Sequence, residues 1–188
     1  MTDAMGGHRD MHSEQGARTG EHRGRARNPV IKVRDIAWLE FEKPDLLRAE
    51  AFAQAFGFST ALRNDDELQM RGADAGAPCL IVRRGPRSRF VRTAFAAQDE
   101  SDVVRLADAT GTAARPLPET IGGVSVDLVD PSGIPVRVVA GTHSVAALPS
   151  QRPQVLNVGH DLVRANAPQR PRRVPARVQR LGHVVLQS

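Results

Sequence analysis

Side chains that could activate a substrate or hold a metal ion are few in this chain of 188 residues. Its single cysteine, Cys79, excludes a disulfide within the chain and a cysteine-rich zinc site. It lies in an apolar segment, which favours a buried, unreactive thiol. The sequence has no GxSxG elbow, no HExxH pair and no Walker-type phosphate loop. These patterns predict no catalytic residue and no cofactor-binding motif.

The histidines are also scattered. His8, His12 and His22 lie in residues 1–29, which are rich in Gly and Arg and almost lack large apolar side chains. Such a segment cannot offset the entropy lost on ordering, so we predict a disordered tail with solvated histidines. We expect His143 and His160 to be solvated as well.

Charge and hydropathy restrict the partners of the chain. The net charge is +5, and residues 151–188 hold seven Arg against the lone Asp161. That segment lacks the interleaved aromatic side chains that usually accompany nucleic-acid binding, so we expect none. No stretch approaches the length of a membrane span, and the N-terminus lacks the apolar core of a secretory signal. We therefore predict a cytoplasmic protein with no membrane partner.

The elements that would position any site begin at Val30. The alternating segment VIKVRDIAWLEFE predicts a first strand, and PDLLRAEAFAQAFG predicts an amphipathic helix that ends at Gly57. Leu46, Leu47, Phe52, Ala53 and Phe56 recur at helical spacing along it. Short strands are predicted at 59–63, 67–71 and 79–83, separated by polar turns. The order is β-α-β-β-β.

The next segment repeats this order. FVRTAFAAQ predicts a strand, DESDVVRLADATG a helix, and GGVSVDLV with IPVRVVAG a hairpin that turns at DPSG. At an offset of 54 residues the paired positions keep their physical roles: Phe41 and Phe95, Asp45 and Asp99, Phe52 and Leu106, Ala53 and Ala107, Gly57 and Gly111. We infer an internal duplication.

These patterns predict an α+β fold in which paired βαβββ modules form a curved mixed sheet. The expected organisation is a disordered tail at 1–29, a domain at 30–143 with modules at about 30–85 and 88–143, and a Pro- and Arg-rich linker at 144–178. The segment RVQRLGHVVLQS then reads as a fresh strand. We predict that residues 179–188 form an orphan C-terminal strand, the first of a second, missing domain.

Two βαβββ modules, the DPSG hairpin, a Pro-rich connection and the RLGHVVL strand together resemble the vicinal oxygen chelate superfamily of glyoxalases, bleomycin-resistance proteins and extradiol dioxygenases. The likeness covers residues 31–188. It is closest to the N-terminal domain of a two-domain extradiol ring-cleaving dioxygenase. The resemblance implies an oxidoreductase of aromatic compound catabolism. Its second domain would bind Fe(II), or Mn(II), through two His and one Glu.

The resemblance also indicates where ligands would lie. In residues 31–143 the matching positions hold Trp38, Arg92 and Arg137, none of which can ligate a metal ion. Two guanidinium groups would also repel a divalent cation. Glu40 and Glu42 are read as solvated carboxylates, whereas Asp127, Asp130 and Glu119 are candidates to ion-pair with the arginines. We therefore expect no catalytic metal in these residues and no cofactor in the chain.

His183 is the one residue that the resemblance would carry over as a metal ligand, and only in a complete second domain. The first hypothesis is thus a truncated, non-catalytic N-terminal part of an extradiol dioxygenase-like protein, inactive alone. The alternative is a metal-free small-molecule binding module of the glyoxalase and bleomycin-resistance type. In it, Trp38, Arg92 and Arg137 would line a pocket for an aromatic small molecule. A third is a homo-oligomer that pairs through its sheet edges.

Overall fold

Eight strands and two helices form two successive modules in the computed structural model, which describes residues 29–149, 157, 159–161 and 175–186. The first module comprises β1 (Asp35–Lys43), α1 (Leu46–Phe56), β2 (Ser59–Arg63), β3 (Glu67–Arg71) and β4 (Leu80–Arg84). The second comprises β5 (Arg89–Ala96), α2 (Glu100–Thr110), β6 (Arg115–Pro116), β7 (Val124–Val129) and β8 (Pro135–Ala140). The predicted tail, apart from its last residue, and most of the predicted linker lie outside the described residues.

All eight strands join one mixed sheet in the order β2-β3-β4-β1-β5-β8-β7-β6. The first strand of each module pairs in parallel with the last strand of the same module, β1 with β4 and β5 with β8. The two first strands pair with each other in antiparallel fashion at the centre. Leu39 lies directly opposite Thr93, which is its counterpart at the offset of 54 residues. The modules are therefore related by a pseudo-twofold axis through this pair, and the predicted α+β fold of paired βαβββ modules is confirmed.

The same capping residues bound the two helices at both ends. Asp45 and Asp99 occupy the N-caps, and each side chain accepts a hydrogen bond from a backbone N–H in the first turn. Gly57 and Gly111 end the helices in the left-handed conformation, which glycine adopts without steric cost. Both helices are 11 residues long. The duplication inferred from the sequence therefore extends to helix start, length and stop.

Each module buries its helix against one face of the sheet. The cluster under α1 contains Leu46, Ala53, Leu68, Met70 and Val82. The cluster under α2 contains Ala97, Val103, Ala107, Val126, Val138 and Ala140. A third cluster has no helix residue and lies on the opposite face, where it contains Trp38, Ile81, Ala94, Leu117, Ile121 and Val139.

Three details differ from the sequence-based expectation. The first strand begins at Asp35 rather than Val30. The short edge strand β6 was not predicted, because it has only two residues and one of them is Pro116, which cannot donate to the ladder. The apolar face of α1 is narrower than predicted: Leu46 and Ala53 are buried, but Leu47, Phe52 and Phe56 are exposed. Phe52 instead stacks on Phe56 at a centroid distance of 6.4 Å.

The chain after β8 returns to the first module. Gly76 and Val145 exchange backbone hydrogen bonds of 3.2 and 3.0 Å, and the Leu148 N–H donates to the Ala73 carbonyl at 2.7 Å. The buried guanidinium of Arg71 donates to the carbonyl of Ala146 at 2.6 Å. The beginning of the predicted linker is thus bound to the loop between β3 and β4. Within the described part of the chain, neither helix is long and apolar enough to cross a membrane.

Candidate functional site: an ion-pair network on the open face of the sheet

Four charged side chains from four neighbouring strands meet on the face of the sheet that carries no helix. They are Glu40 on β1, Arg92 on β5, Arg137 on β8 and Asp127 on β7. Successive side chains of a strand point to opposite faces of the sheet, and Val126 and Val138 point into the core under α2. Their neighbours Asp127 and Arg137 must then point away from it.

Strand register brings the four groups together. Glu40 lies opposite Arg92 in the ladder between β1 and β5, and Asp127 lies opposite Arg137 in the ladder between β7 and β8. Ala94 lies opposite Arg137 on the intervening strand. Its small side chain leaves room for the long Arg137 side chain to reach Glu40 on β1.

Glu40 is the centre of the network and is almost fully buried, with 4% of its surface exposed. Its Oε1 accepts hydrogen bonds from Arg137 Nη1 at 2.9 Å and from Trp38 Nε1 at 3.0 Å. Its Oε2 lies 3.2 Å from Arg92 Nε in an ion pair that lacks hydrogen-bond alignment. Both carboxylate oxygens are therefore compensated, which a buried charge requires.

Asp127 closes the network at the solvent side. Arg137 donates to it through two parallel bonds, Nε to Oδ1 at 2.6 Å and Nη2 to Oδ2 at 2.9 Å. Arg92 Nη1 lies 2.8 Å from the same Oδ1. The Arg137 hydrogen bonds, together with the charges of both arginines, outweigh partial burial and lower the pKa of Asp127 from 3.8 to about 2. The carboxylate is therefore ionised throughout the neutral range.

Two expectations from the sequence need correction here. Glu40 is a buried ion-pair partner rather than a solvated carboxylate, which its alternation with Trp38 on β1 could have indicated. The two arginines also do not form a positive patch, because Glu40 and Asp127 balance their charges. Repulsion of a divalent cation therefore does not follow from the two arginines alone. Asp127 pairs with Arg92 and Arg137 as expected, whereas Asp130 accepts from the N–H groups of Ser132 and Ile134 in its turn, and Glu119 is exposed.

Trp38 contributes to the core rather than to an open surface. Its side chain is fully buried, and Leu117 and Ile121 from the connection between β6 and β7 pack in the same cluster. Arg92 and Arg137 retain partial access, with 22% and 14% of their side chains exposed. A pocket lined by all three residues stays a prediction, and only the two arginines have surface to offer a ligand.

The residues of this face do not fit a metal ion. Trp38, Arg92 and Arg137 have no lone pair to offer a metal ion, and both oxygens of Glu40 are engaged by their neighbours. Among the described residues, no three His, Cys, Asp or Glu side chains form a group that could hold a metal ion. The donor set is therefore that of a structural ion-pair network.

A second, smaller network lies on the first module. Glu67 on β3 is buried and pairs with Arg83 on β4 at 2.5 Å, while Gln69 donates to it at 2.6 Å. Thr120 contacts the same carboxylate at 3.4 Å from the connection between β6 and β7. Glu67, Gln69 and Arg83 were not predicted as site residues. Their signal was the alternation along β3, where Glu67, Gln69 and Arg71 share one face and Leu68 and Met70 the other.

An open cleft lies beside Asp127 at the edge of the second module. Its volume is about 280 Å³, and its lining residues are Thr112, Ala113, Arg115, Ser125 and Asp127. The cleft thus combines one guanidinium, two hydroxyls and one carboxylate at the outer end of the ion-pair network. This composition suits a small polar ligand.

The remaining candidate residues lie apart from this site. Cys79 is buried, as predicted for a core thiol. His143 Nε2 lies 3.1 Å from the Glu119 carbonyl, and His160 is exposed. His183 is exposed within residues 175–186, which form no strand, so the strand predicted at 179–188 is wrong for its described part, residues 179–186. Its role as a ligand in a second domain stays a prediction.

Comparison with known proteins reveals a shared fold. A Mn(II)-bound glyoxalase from Novosphingobium aromaticivorans superposes with a TM-score of 0.57 at 22% identity, covering 65% of this chain and 44% of the glyoxalase. A variant of homoprotocatechuate 2,3-dioxygenase from Brevibacterium fuscum superposes with a TM-score of 0.56 at 21% identity, covering 64% and 36%. An extradiol ring-cleaving dioxygenase from B. fuscum gives 0.51 at 21% identity. No protein-family model and no curated protein matches the chain.

The chain therefore has the vicinal oxygen chelate fold that the sequence predicted. The matched region spans less than half of each of these proteins, 44% of the glyoxalase and 36% of the dioxygenases. At these identities the likeness establishes the fold and leaves the activity to be argued from the residues.

Glu40→Gln should destabilise the domain strongly, because it removes the charge that compensates two poorly solvated guanidinium groups. We expect a loss of about 3 kcal/mol in the free energy of unfolding, measured by urea denaturation. Glu42→Gln is the matched control on the same strand, since Glu42 pairs with Arg89 at the surface, and its loss should be much smaller. Equal losses would show that the buried network contributes no more than a surface pair.

The pKa of Asp127 predicts a pH dependence of stability. Its folded pKa of about 2 lies below the ordinary value of 3.8, so its contribution to stability is complete above the ordinary pKa and is lost as the pH falls to the folded pKa. The difference in unfolding free energy between the wild type and Asp127→Asn should be constant near neutrality and shrink as the pH falls from about 4 to about 2. A difference that does not change with pH would contradict this assignment.

Proposed function

We propose that residues 31–143 are the non-catalytic N-terminal domain of an extradiol dioxygenase-like protein, and that the chain cleaves no catechol by itself. In this proposal a following, metal-bearing domain would supply the Fe(II) or Mn(II) site and would include His183. The observation that carries the proposal is the ion-pair network of Glu40, Arg92, Arg137 and Asp127. It occupies the face on which the fold would otherwise assemble metal ligands.

The network supports a structural role for physical reasons. An open metal site needs unsatisfied lone pairs on imidazole or carboxylate groups held in a shared orientation. Here both carboxylates already accept bonds from guanidinium groups, and the cations have no lone pair to offer. Breaking the network to free one oxygen would expose a buried charge without compensation. The ion-pair network is thus stable when intact, and this face of the domain is unsuited to oxygen activation.

Metal loading tests this proposal directly. After anaerobic incubation with Fe(II) and desalting, the 188-residue chain should retain far less than one iron per chain, and it should not convert catechol or 3,4-dihydroxyphenylacetate to a ring-opened product. Iron is measured by elemental analysis and product by its absorbance. The double variant Arg92→His, Arg137→Glu provides a matched comparison, because it places an imidazole and a carboxylate on the same face. Stoichiometric iron with turnover in the wild type would overturn the proposal.

The cleft beside Asp127 favours a second candidate function, a metal-free binding module for a small aromatic acid. Arg115 offers a guanidinium to a ligand carboxylate, and Thr112 and Ser125 add two hydroxyls. Arg92 and Arg137 lie immediately behind Asp127 and offset its negative charge. The resident carboxylate of Asp127 opposes an anion, so only a ligand that avoids or displaces it would bind.

A thermal-shift titration tests the binding module. Benzoate and 3,4-dihydroxybenzoate should raise the melting temperature in a saturable manner, and neutral benzamide is the matched ligand control. The shift should disappear in Arg115→Ala and in Arg92→Ala, judged relative to the melting temperature of each variant without ligand. Equal shifts for benzoate and benzamide, or none at millimolar concentration, would rule out recognition of the carboxylate.

A further inference from the structure

Strands β2 and β3 separate at one end of their ladder, and a segment from a distant part of the chain lies between them. The last pair in register is Ser59 with Arg71, and two further residues would place Gly57 opposite Ala73. Val178 lies between them instead. Its N–H donates to the Gly57 carbonyl at 3.0 Å, and its carbonyl accepts from the Ala73 N–H at 2.9 Å. The extended segment thus replaces a missing pair of the ladder.

The residues next to Val178 are also held. The Asp74 N–H donates to the Gln179 carbonyl at 3.0 Å. Arg180 forms an ion pair with Asp35 at 2.9 Å, and Arg177 donates to the Pro149 carbonyl at 2.5 Å. Four consecutive residues, 177–180, therefore have partners from separate parts of the first module and the chain after β8. Backbone hydrogen bonds to an extended segment are the main source of affinity where a sheet binds an added strand.

Two glycines make room for the segment. A side chain at Gly72 would collide with the backbone carbonyl of Gln179, and one at Gly57 would come within 2.7 Å of the Ala176 carbonyl oxygen. Gly57 also needs its positive φ of 113° to end α1. Gly72 has no positive φ, so its backbone conformation is open to other residues. The requirement for glycine at position 72 is therefore space for the docked backbone.

We propose that Gly57, Gly72, Ala73 and Asp74 form a recognition site for an extended segment, here named the fork, and that residues 177–180 of the same chain are its occupant. Docking fixes the path of residues 181–186, including His183, relative to the sheet. The site recognises its occupant through backbone hydrogen bonds, with the two arginines providing orientation. This role is independent of metal binding and of the cleft at Asp127.

Gly72→Ala in the full chain is the direct test, because it fills the space of the docked carbonyl without straining the backbone. Gly182→Ala is the matched control, since a side chain there meets no atom within 4 Å. Hydrogen exchange at the amides of Ala73, Asp74 and Val178 should accelerate at least about tenfold in Gly72→Ala and stay unchanged in Gly182→Ala. Trypsin cleavage after Arg177 and Arg180 should accelerate in parallel. The Ala97 amide, bound to Val139 in the second module, reports on global unfolding.

Val178→Pro keeps the proposal falsifiable if Gly72→Ala does not fold. It removes the N–H that donates to Gly57, and residue 178 lies outside the sheet of the domain. It should produce the same local acceleration at Ala73 and Asp74 with protection at Ala97 retained. Rapid exchange of these amides in the wild type, or no change in Val178→Pro, would overturn the proposal. A wild-type dimer that dissociates in Val178→Pro would place the occupant on a second copy and would also overturn it.

Discussion

The antiparallel pairing of β1 with β5 is the constraint on which the rest of the structure depends. It joins the two modules, and it places Leu39 opposite Thr93 on the pseudo-twofold axis. One register sets the relation between all eight strands, because β4 and β8 add in parallel on either side. A shift by one residue would turn every side chain of a strand to the other face and would separate Glu40 from Arg92.

The central pairing also determines what the open face can do. It brings side chains of β1 and β5, the first strands of the two modules, next to those of β8, the last strand of the second module. Both modules can therefore contribute side chains to one site. In this chain that place holds two acids and two arginines whose charges cancel, with Asp127 at the solvent edge. Buried charges are tolerated only when each has a partner, so the network is closed and stable. The network holds four strands together through its ion pairs, and the cleft lined by Arg115 lies at its outer end.

The segment after β8 shows how the first module serves as a platform for the rest of the chain. The loop between β3 and β4 binds residues 145–148 on one side and residues 178–179 on the other. The buried Arg71 connects this loop with the chain after β8, because its guanidinium donates one charge-assisted hydrogen bond to the Asp74 carbonyl and one to the Ala146 carbonyl. The first module can thus fix the direction of the chain that leaves the second, and the glycine at position 72 is explained by that role.

The sequence by itself determined the elements and their duplication, because periodicity, N-cap Asp and C-cap Gly act over short distances that the chain order preserves. Asp45 with Gly57 and Asp99 with Gly111 bound both helices as expected, and the strands at 59–63 and 67–71 matched. The family resemblance drew attention to Arg92 and Arg137 but not to the buried carboxylate that compensates them. Only the tertiary structure decided that Glu40 is buried between them, that Phe52 and Phe56 face solvent, and that Val178 enters the fork. These outcomes depend on register across strands and on contacts between residues far apart in the chain, which no local pattern records.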